Sequence, residues 1–102
     1  MMKPKGRPKK QRVIDKEPDI RQFSPRGKPG RPDEVELGLD HFEAIRLADY
    51  EGLEQEAAAG HMGISRQTFG RILKAARHVI AEGLAKGKII RINSSPDNPP
   101  GK

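Results

Sequence analysis

Three segments of this 102-residue chain show apolar residues at helical spacing. The first segment predicts an amphipathic helix over 40–50, which ends at Gly52. Asp40 and Glu43 have the spacing of a capping box at its start, so their side chains are expected to satisfy free backbone N–H groups there. The apolar positions of this helix are Phe42, Ile45, Leu47 and Ala48.

The second and third helices are predicted over 54–62 and from Ser65 to about Leu84, with a short turn between them. Gly63 lies directly after the second helix, where the backbone often takes a positive φ that glycine adopts without strain. Ser65 is expected to cap the third helix by accepting a hydrogen bond from a free backbone N–H. The core between the two helices is expected to contain Ala58, Met62, Ile64, Phe69 and Ile72. The buried stripe of the third helix is expected to comprise Phe69, Ile72, Ala76, Val79 or Ile80, and Leu84.

Regular structure is expected to be sparse outside the helices. Prolines and glycines interrupt the start of the chain, which predicts an extended basic arm over 1–38. Residues 88–92 resemble a short strand, with either the residues near Val13 or a second subunit as its partner. Pro, Ser, Asn and Gly dominate 93–102, which is expected to be a disordered tail. The predicted fold is thus all-α, a three-helix domain over 39–92 with at most a short strand pair.

The outer face of the third helix is the candidate functional surface. The helix, turn and helix follow the layout of a helix-turn-helix, whose second helix enters the major groove of DNA. Arg66 and Arg71 can each present two N–H groups to guanine, and Gln67 can pair with adenine. Lys74 and Arg77 are better placed for phosphate. The expected contacts on this helix are Ser65, Arg66, Gln67, Thr68, Gly70, Arg71, Lys74 and Arg77. Among these, Gly70 is expected to let the helix backbone approach the groove floor.

The charges of the chain are separated along its length in a way that suits a polyanionic partner. The net charge is +6. Residues 1–31 carry 11 Lys/Arg and 3 Asp/Glu, residues 32–64 carry 1 and 9, and residues 65–102 carry 8 and 2. The change from acidic to basic falls at the turn before the third helix, so only one side of the module is expected to attract phosphate.

A basic segment near the start of the chain is a second candidate for nucleic-acid contact. Lys5-Gly-Arg-Pro-Lys-Lys10 resembles an AT-hook, a peptide that places its central arginine in a narrow A·T-rich minor groove. Non-specific attraction to phosphate is the alternative for the same residues. The candidate contacts are Lys5, Arg7, Lys9 and Lys10. A second Gly-Arg-Pro, at 30–32, precedes acidic residues and is not expected to bind.

Several classes of function are not expected, because the residues that they need are missing or scattered. Cysteine is absent, which leaves no disulfide, thiolate metal site or cysteine nucleophile. The histidines His41, His61 and His78 are too scattered to indicate a metal site, and no pairing of residues indicates catalysis. No apolar run approaches the roughly 20 residues of a membrane span. The expected protein is therefore cytoplasmic, is not an enzyme and needs no cofactor or metal.

Three stretches carry a resemblance to a known family. They are Glu-Ala-Ile-Arg-Leu-Ala-Asp at 43–49, Met-Gly-Ile-Ser-Arg-Gln-Thr-Phe-Gly-Arg-Ile-Leu at 62–73, and Gly-Lys-Ile-Ile-Arg-Ile at 87–92. With these stretches the chain resembles a family of small, largely uncharacterised prokaryotic proteins that are predicted to bind DNA. The helix-turn-helix of that family is related to region four of the primary sigma factors. The resemblance therefore implies a fold of the sigma region-four type and a function in DNA binding.

This sequence differs from the family pattern at four points. His41 replaces a usual acidic residue, Glu54 replaces a capping Ser or Thr, and Gly60 interrupts a helix. These three differences suggest a less stable second helix. The leader also lacks the cysteine that many members carry near residues 13–15, which argues against thiol-based sensing.

The function predicted from the sequence is sequence-specific binding of double-stranded DNA by a transcriptional regulator, which reads the major groove with the helix that starts at Ser65. Because one reading helix offers little contact area, a homodimer on paired half-sites is a further expectation, with 86–92 as the subunit contact. The alternative is an adaptor that docks on the transcription machinery through an acidic face at 33–56. An RNA-binding module with the basic arm as its main contact also stays open.

Overall fold

Three α-helices and a small β-sheet make up the computed structural model, which describes residues 12–27 and 29–93. In chain order the elements are β1 (Gln22–Phe23), β2 (Glu34–Leu37), α1 (Leu39–Ile45), a π-helical turn (Arg46–Tyr50), α2 (Gln55–Met62), α3 (Arg66–Lys86) and β3 (Ile89–Ile92). The three predicted helices are confirmed, with ends that differ by no more than about two residues. The π-helical turn continues α1, and its Glu51 N–H donates to the Arg46 carbonyl over 2.8 Å.

The prediction of an all-α fold is confirmed only in part: the described chain is mostly helical, but three strands also form a mixed sheet in the order β1-β3-β2. The central strand β3 pairs antiparallel with β1 and parallel with β2, so that Ile90 lies beside both Phe23 and Val35. The expected strand at 88–92 is confirmed, but neither expected partner, the residues near Val13 or a second subunit, pairs with it, because β1 and β2 of the same chain occupy its two edges. The strands have only two to four residues, too few to produce a clear alternating pattern in the sequence.

The folded unit includes residues before Leu39, where the sequence placed the start of the domain. Val35 and Leu37 of β2 are buried, since alternate residues of this strand face α3 and the core. The first part of the predicted arm, 1–11, and nearly all of the predicted tail, 94–102, lie outside the described residues.

Two groups of buried residues form the core. The first joins α1, the π-helical turn, α2 and α3, and consists of Ala44, Leu47, Ala58, Ala59, Met62, Phe69, Ile72 and Leu73. The second joins the sheet to α1 and α3, and consists of Leu37, Leu39, Ala76 and Ile92. The predicted core between α2 and α3 is confirmed, with Ile64 packed against it and only partly buried.

The buried stripe of α3 ends differently from the prediction. Leu84 was expected inside, but it is 75% exposed, whereas its neighbour Gly83 is buried. A Cβ atom at Gly83 would lie only 2.6 Å from Cγ1 of Ile90. The sheet therefore packs directly on the backbone of Gly83, and this contact turns Leu84 towards solvent.

The start of α1 also differs from the prediction. The N-cap is Gly38 rather than Asp40, and the N–H of Gly38 donates to His41 Nδ1 over 3.4 Å. The capping box predicted for Asp40 and Glu43 is therefore wrong. Glu43 is instead fully buried, and its carboxylate has other partners.

Candidate nucleic-acid interface

The turn between α2 and α3 has the geometry expected from its glycine and serine. Gly63 ends α2 in the left-handed region, with φ 68° and ψ 31°. The backbone N–H of Ile64 then donates to the Ala59 carbonyl over 3.1 Å. Ser65 caps α3, because its Oγ accepts a hydrogen bond from the Thr68 N–H over 3.1 Å. Both predictions are confirmed, and they fix the direction in which α3 leaves α2.

The hydroxyl of Thr68 takes part in this cap. Ser65 Oγ donates to Thr68 Oγ1 over 3.0 Å. Both residues were predicted as DNA contacts, and their side chains here bond to each other at the first turn of α3. Each hydroxyl still has acceptor capacity that it can offer to a ligand.

The outer face of α3 carries exposed polar and basic side chains that are not engaged by the rest of the fold. Arg66, Gln67, Arg71 and Lys74 are all exposed. Because successive helical residues are about 100° apart, Gln67, Arg71 and Lys74 share a stripe roughly 60° wide. None of the three cations has an ion-pair partner among residues 12–27 and 29–93. The structure thus brings these sequence-predicted residues together on one open surface.

Gly70 lies at the side of this surface that adjoins α2. It is partly buried, and a Cβ atom there would lie 3.4 Å from Oε1 of Gln55. A Cβ atom would thus only touch the end of the side chain of Gln55, the first residue of α2. The predicted approach of Gly70 to the groove floor stays a prediction.

Arg77 differs from the other predicted contacts because it is paired within the protein. Its Nε and Nη2 donate to the two carboxylate oxygens of Asp49 over 3.1 and 2.7 Å. These hydrogen bonds hold the pKa of Asp49 below its usual value, against the opposing effect of partial burial. The pair connects the π-helical turn to the middle of α3. The guanidinium of Arg77, which the sequence predicted to contact phosphate, is thus bonded to Asp49 instead.

A buried carboxylate lies behind the interface and was missed by sequence reasoning. Glu43 accepts hydrogen bonds from Arg46 Nε and Nη2, both over 2.9 Å, and from the Asp15 N–H over 3.0 Å. The pKa of Arg46 is raised, mainly by the hydrogen bonds to Glu43. The signal in the sequence was an acidic residue on the apolar side of α1 with an arginine three positions later, the spacing of neighbours on a helix.

A segment before the sheet is fixed against the turn, and we call residues 12–15 the docked segment. The N–H of Val13 donates to the carbonyl of Met62, the last residue of α2, over 3.1 Å. Asp15 Oδ2 lies 3.2 Å from His61 Nδ1. Arg12 Nε lies 3.5 Å from a carboxylate oxygen of Asp40. The docked segment therefore crosses the C-terminal end of α2, directly beside the start of α3.

The remaining predicted contacts, Lys5, Arg7, Lys9 and Lys10, lie outside the described residues. Within the described part of the chain, no group of three or more His, Asp or Glu side chains is arranged to hold a metal ion. In the same part, no helix has the length and apolar character needed to cross a membrane.

Comparison with known proteins gives a consistent set of relatives. The family model described as "Protein of unknown function DUF134" matches residues 1–96. A UPF0251 protein of Syntrophobacter fumaroxidans is 55% identical over 87 residues, which are 84% of this chain and 56% of the relative. A UPF0251 protein of Methanosarcina acetivorans is 50% identical over 93 residues, which are 90% of this chain and 83% of the relative.

Several relatives are longer than this chain. The chain spans 57% of the UPF0251 protein of Prosthecochloris aestuarii, with 47% identity over 88 residues. No solved structure matches the chain. Since a family model covers nearly the whole chain and relatives from bacteria and an archaeon share about half of its residues, the chain belongs to the family DUF134, whose curated relatives carry the name UPF0251 protein.

Proposed function

We propose that this chain binds double-stranded DNA by placing the N-terminal half of α3 in the major groove. The observation that carries the proposal is the open surface of Arg66, Gln67, Arg71 and Lys74, whose three cations have no ion-pair partner among the described residues. A helix with its side chains is about 10–12 Å across. The major groove of B-DNA is about 12 Å wide, so it can accept this helix.

The contrast with other cations in the fold supports the proposal. Arg46 and Arg91 bond to Glu43 and Glu34, and Arg77 bonds to Asp49. Their charge is largely neutralised locally, whereas that of the open surface is available to a polyanion. An exposed unpaired guanidinium or ammonium near phosphate releases counterions, which is the main source of protein–DNA affinity.

The chemistry of the open surface also allows base reading. The guanidinium of Arg66 or Arg71 can donate two hydrogen bonds to O6 and N7 of guanine, and the amide of Gln67 can pair with N6 and N7 of adenine. Lys74, nearly two turns after Gln67, suits a phosphate at the groove edge. The first turn of α3 adds the positive end of the helix dipole.

The arrangement of α2, the turn at Gly63 and the capped α3 supports a helix-turn-helix of the sigma region-four type, as the resemblance implies. On this proposal the protein is a cytoplasmic transcriptional regulator. A homodimer would enlarge the contact area on paired half-sites.

A second candidate function is an adaptor that docks on the transcription machinery, and one observation favours it. Tyr50 is 82% exposed at the end of the π-helical turn, and exposed aromatic side chains are enriched at protein interfaces. Exposed Glu54 and Glu56 lie nearby in sequence. The acidic face at 33–56 is less open than its sequence indicates, however, because most of its other carboxylates are paired or buried. These carboxylates are Glu34, Asp40, Glu43, Asp49 and Glu51.

Selection of binding sites from a random duplex pool tests the proposal. The full chain is expected to enrich a defined sequence, and Arg71→Ala is expected to lose about 1–3 kcal/mol of affinity and the preference at one base position. Arg26→Ala is the matched control, since Arg26 is exposed in the loop after β1 and the substitution removes the same charge. A pool without enrichment at moderate salt would overturn the proposal, and binding to polymerase subunits without DNA would favour the adaptor.

A further inference from the structure

The exposed face of α3 changes in character along the helix. Its N-terminal half carries the open surface. After His78 the exposed side chains are those of Ala81, Leu84, Ala85 and Lys86, so that three of the four are apolar. Leu84 is 75% exposed, whereas the other large apolar side chains of α3 are buried or partly buried. The helix therefore presents a basic surface at its start and an apolar one near its end.

Leu84 borders a groove between the C-terminal end of α3 and the edge strand β1. The groove has a volume of about 200 Å³. Gly83 and Gly87 leave its α3 side without side chains, and Phe23 lines it at the β1 side, next to Pro25. Phe23 is itself 54% exposed. We call Leu84 together with this groove the apolar patch.

The size and charge of the apolar patch fit a protein partner. Small-molecule sites usually occupy about 300–1,000 Å³ and carry convergent polar groups, and this groove is smaller. Nucleic acid requires available cations. Among the described residues that line the groove, the only cation is Lys88, whose Nζ lies 2.6 Å from a carboxylate oxygen of Glu82. Exposed apolar patches with an aromatic side chain are typical of protein interfaces.

Two features of the apolar patch favour a second copy of this chain as that partner. A projecting side chain and a groove lie side by side, so two copies related by a two-fold axis can each insert Leu84 into the groove of the other. Such a contact forms twice and covers both patches. The local charge also permits it, because Lys88 and Glu82 neutralise each other and two copies bring no net like charge to the groove.

The place of the apolar patch on α3 also suits paired half-sites, and this step rests on the proposed function. Leu84 lies 13 residues after Arg71, or about 20 Å along the helix axis. A two-fold contact at Leu84 therefore separates the two open surfaces by up to about 40 Å. Half-sites one turn of B-DNA apart are separated by about 34–36 Å, which is within this reach. A contact beside Lys74 would instead cover the open surface.

We propose that the apolar patch is the contact surface of a homodimer, in which Leu84 of each copy packs into the groove of the other. Of the subunit contact expected at 86–92, only Gly87, Lys88 and Ile90 line this groove. Since a stable interface buries about 800 Å² on each partner, so small a patch predicts a weak dimer. Binding of both copies to one duplex strengthens it, because the second contact then becomes intramolecular.

Sedimentation equilibrium of the full chain tests the dimer without DNA. As the concentration rises from micromolar to millimolar, the mean mass is expected to rise from that of one chain towards that of two. Leu84→Glu places a charge at the contact and is expected to stay monomeric throughout. Tyr50→Glu is the matched control, because it makes the same change in charge at another exposed large side chain, outside the patch. A monomeric parent, or a Leu84→Glu variant that associates like the parent, would overturn the inference.

The absence of cysteine allows a test of the contact itself. Ser24 lines the groove, so a Leu84→Cys chain is mixed with a Ser24→Cys chain that carries an affinity tag. Oxidation with copper(II) phenanthroline is expected to join them by a disulfide, which requires close approach of the two residues. Tyr50→Cys mixed with the same Ser24→Cys chain is the control, and little mixed product is expected. Equal yields from the two mixtures would contradict the proposed contact.

The dimer and the proposed function fail in different ways. If the full chain dimerises but selects no sequence from a duplex pool, the proposed function of α3 is wrong and the dimer stands. If Leu84→Glu selects paired half-sites at the same spacing as the parent, only the dimer contact is wrong. Loss of the spacing preference with an unchanged half-site supports both. Because Leu84 is largely exposed, the variant should unfold at the parent temperature, which circular dichroism measures.

Discussion

Asp49 and Arg77 form an ion pair with two hydrogen bonds, 2.7 and 3.1 Å long, between the π-helical turn and the middle of α3. The cations of α3 differ in whether they have an ion-pair partner within the protein. Arg77 is satisfied inside the protein, whereas Arg66, Arg71 and Lys74 have no ion-pair partner among the described residues. The intramolecular contact thus marks where the cations without an ion-pair partner, at the start of α3, give way to a paired one.

Removing this pair should increase non-specific DNA binding. Asp49→Asn leaves Arg77 without its carboxylate partner, so Arg77 becomes available for one more phosphate. The slope of log K against log salt is then expected to steepen by about 0.9. The fold should lose no more than about 1 kcal/mol, because the pair is partly exposed. Titrations of a random-sequence duplex over a range of salt concentrations measure the slope, and Asp49→Asn with Arg77→Ala should return it to the parent value.

The same pair predicts a pH dependence of stability. The hydrogen bonds from Arg77 lower the pKa of Asp49 below 3.8, so the folded state favours the ionised carboxylate. This stabilisation is complete above pH 3.8 and is lost as the pH falls through the lowered pKa. The difference in free energy of unfolding between the parent and Asp49→Asn should therefore shrink below about pH 4. A difference that stays constant down to pH 2 in urea titrations would contradict the assignment.

Glu43 should be far more sensitive to substitution than any exposed carboxylate. Glu43→Gln removes the buried charge that bonds to Arg46 and to the Asp15 N–H. Breaking a buried ion pair at one partner costs about 3–5 kcal/mol, which is a large part of the stability of a small domain. Urea unfolding measures the loss. Glu56→Gln is the matched control on an exposed position, where a change of about 0.5 kcal/mol or less is expected.

Replacement by alanine should have opposite effects on stability at Gly60, inside α2, and at Gly63, directly after it. Gly63 has a positive φ of 68°, so Gly63→Ala is expected to cost about 1–2 kcal/mol. Gly60 lies inside the helix, and a Cβ atom added there would have no neighbour within 4 Å, so Gly60→Ala is expected to stabilise the protein by about 0.5–1 kcal/mol. The midpoint of thermal unfolding, measured for both variants and for the parent, tests the two predictions. A stabilising Gly63→Ala would contradict the left-handed turn.

The helices could be predicted from the sequence because their signals are local. Apolar spacing and the glycine and serine at the turn define α2 and α3, and Ser65 and Gly63 act as their residue types indicate. The predicted reading face is likewise set by the periodicity of one helix, which explains why Gln67, Arg71 and Lys74 do emerge on one side.

The sheet and the Asp49–Arg77 ion pair depend on residues that are far apart in the chain, and for this reason they escaped prediction. β2 pairs with β3 across the whole helical region, and no local pattern specifies that partner. Asp49 and Arg77 are separated by 28 residues, so their spacing carries no helical signal. Leu84 was assigned to the core because periodicity alone does not show that Ile90 packs on the backbone of Gly83.

The place of β3 in the sheet has a consequence for how the chain folds during synthesis. β3 is the central strand, yet among the described elements it is the last to leave the ribosome. The helices can pack through nearby contacts while β1 and β2 still lack their partner, so folding has an early local phase and a late non-local one. Until residue 92 emerges, β2 stays without the strand that pairs with its backbone. Protease cleavage in β2 of ribosome-arrested chains would reveal that interval.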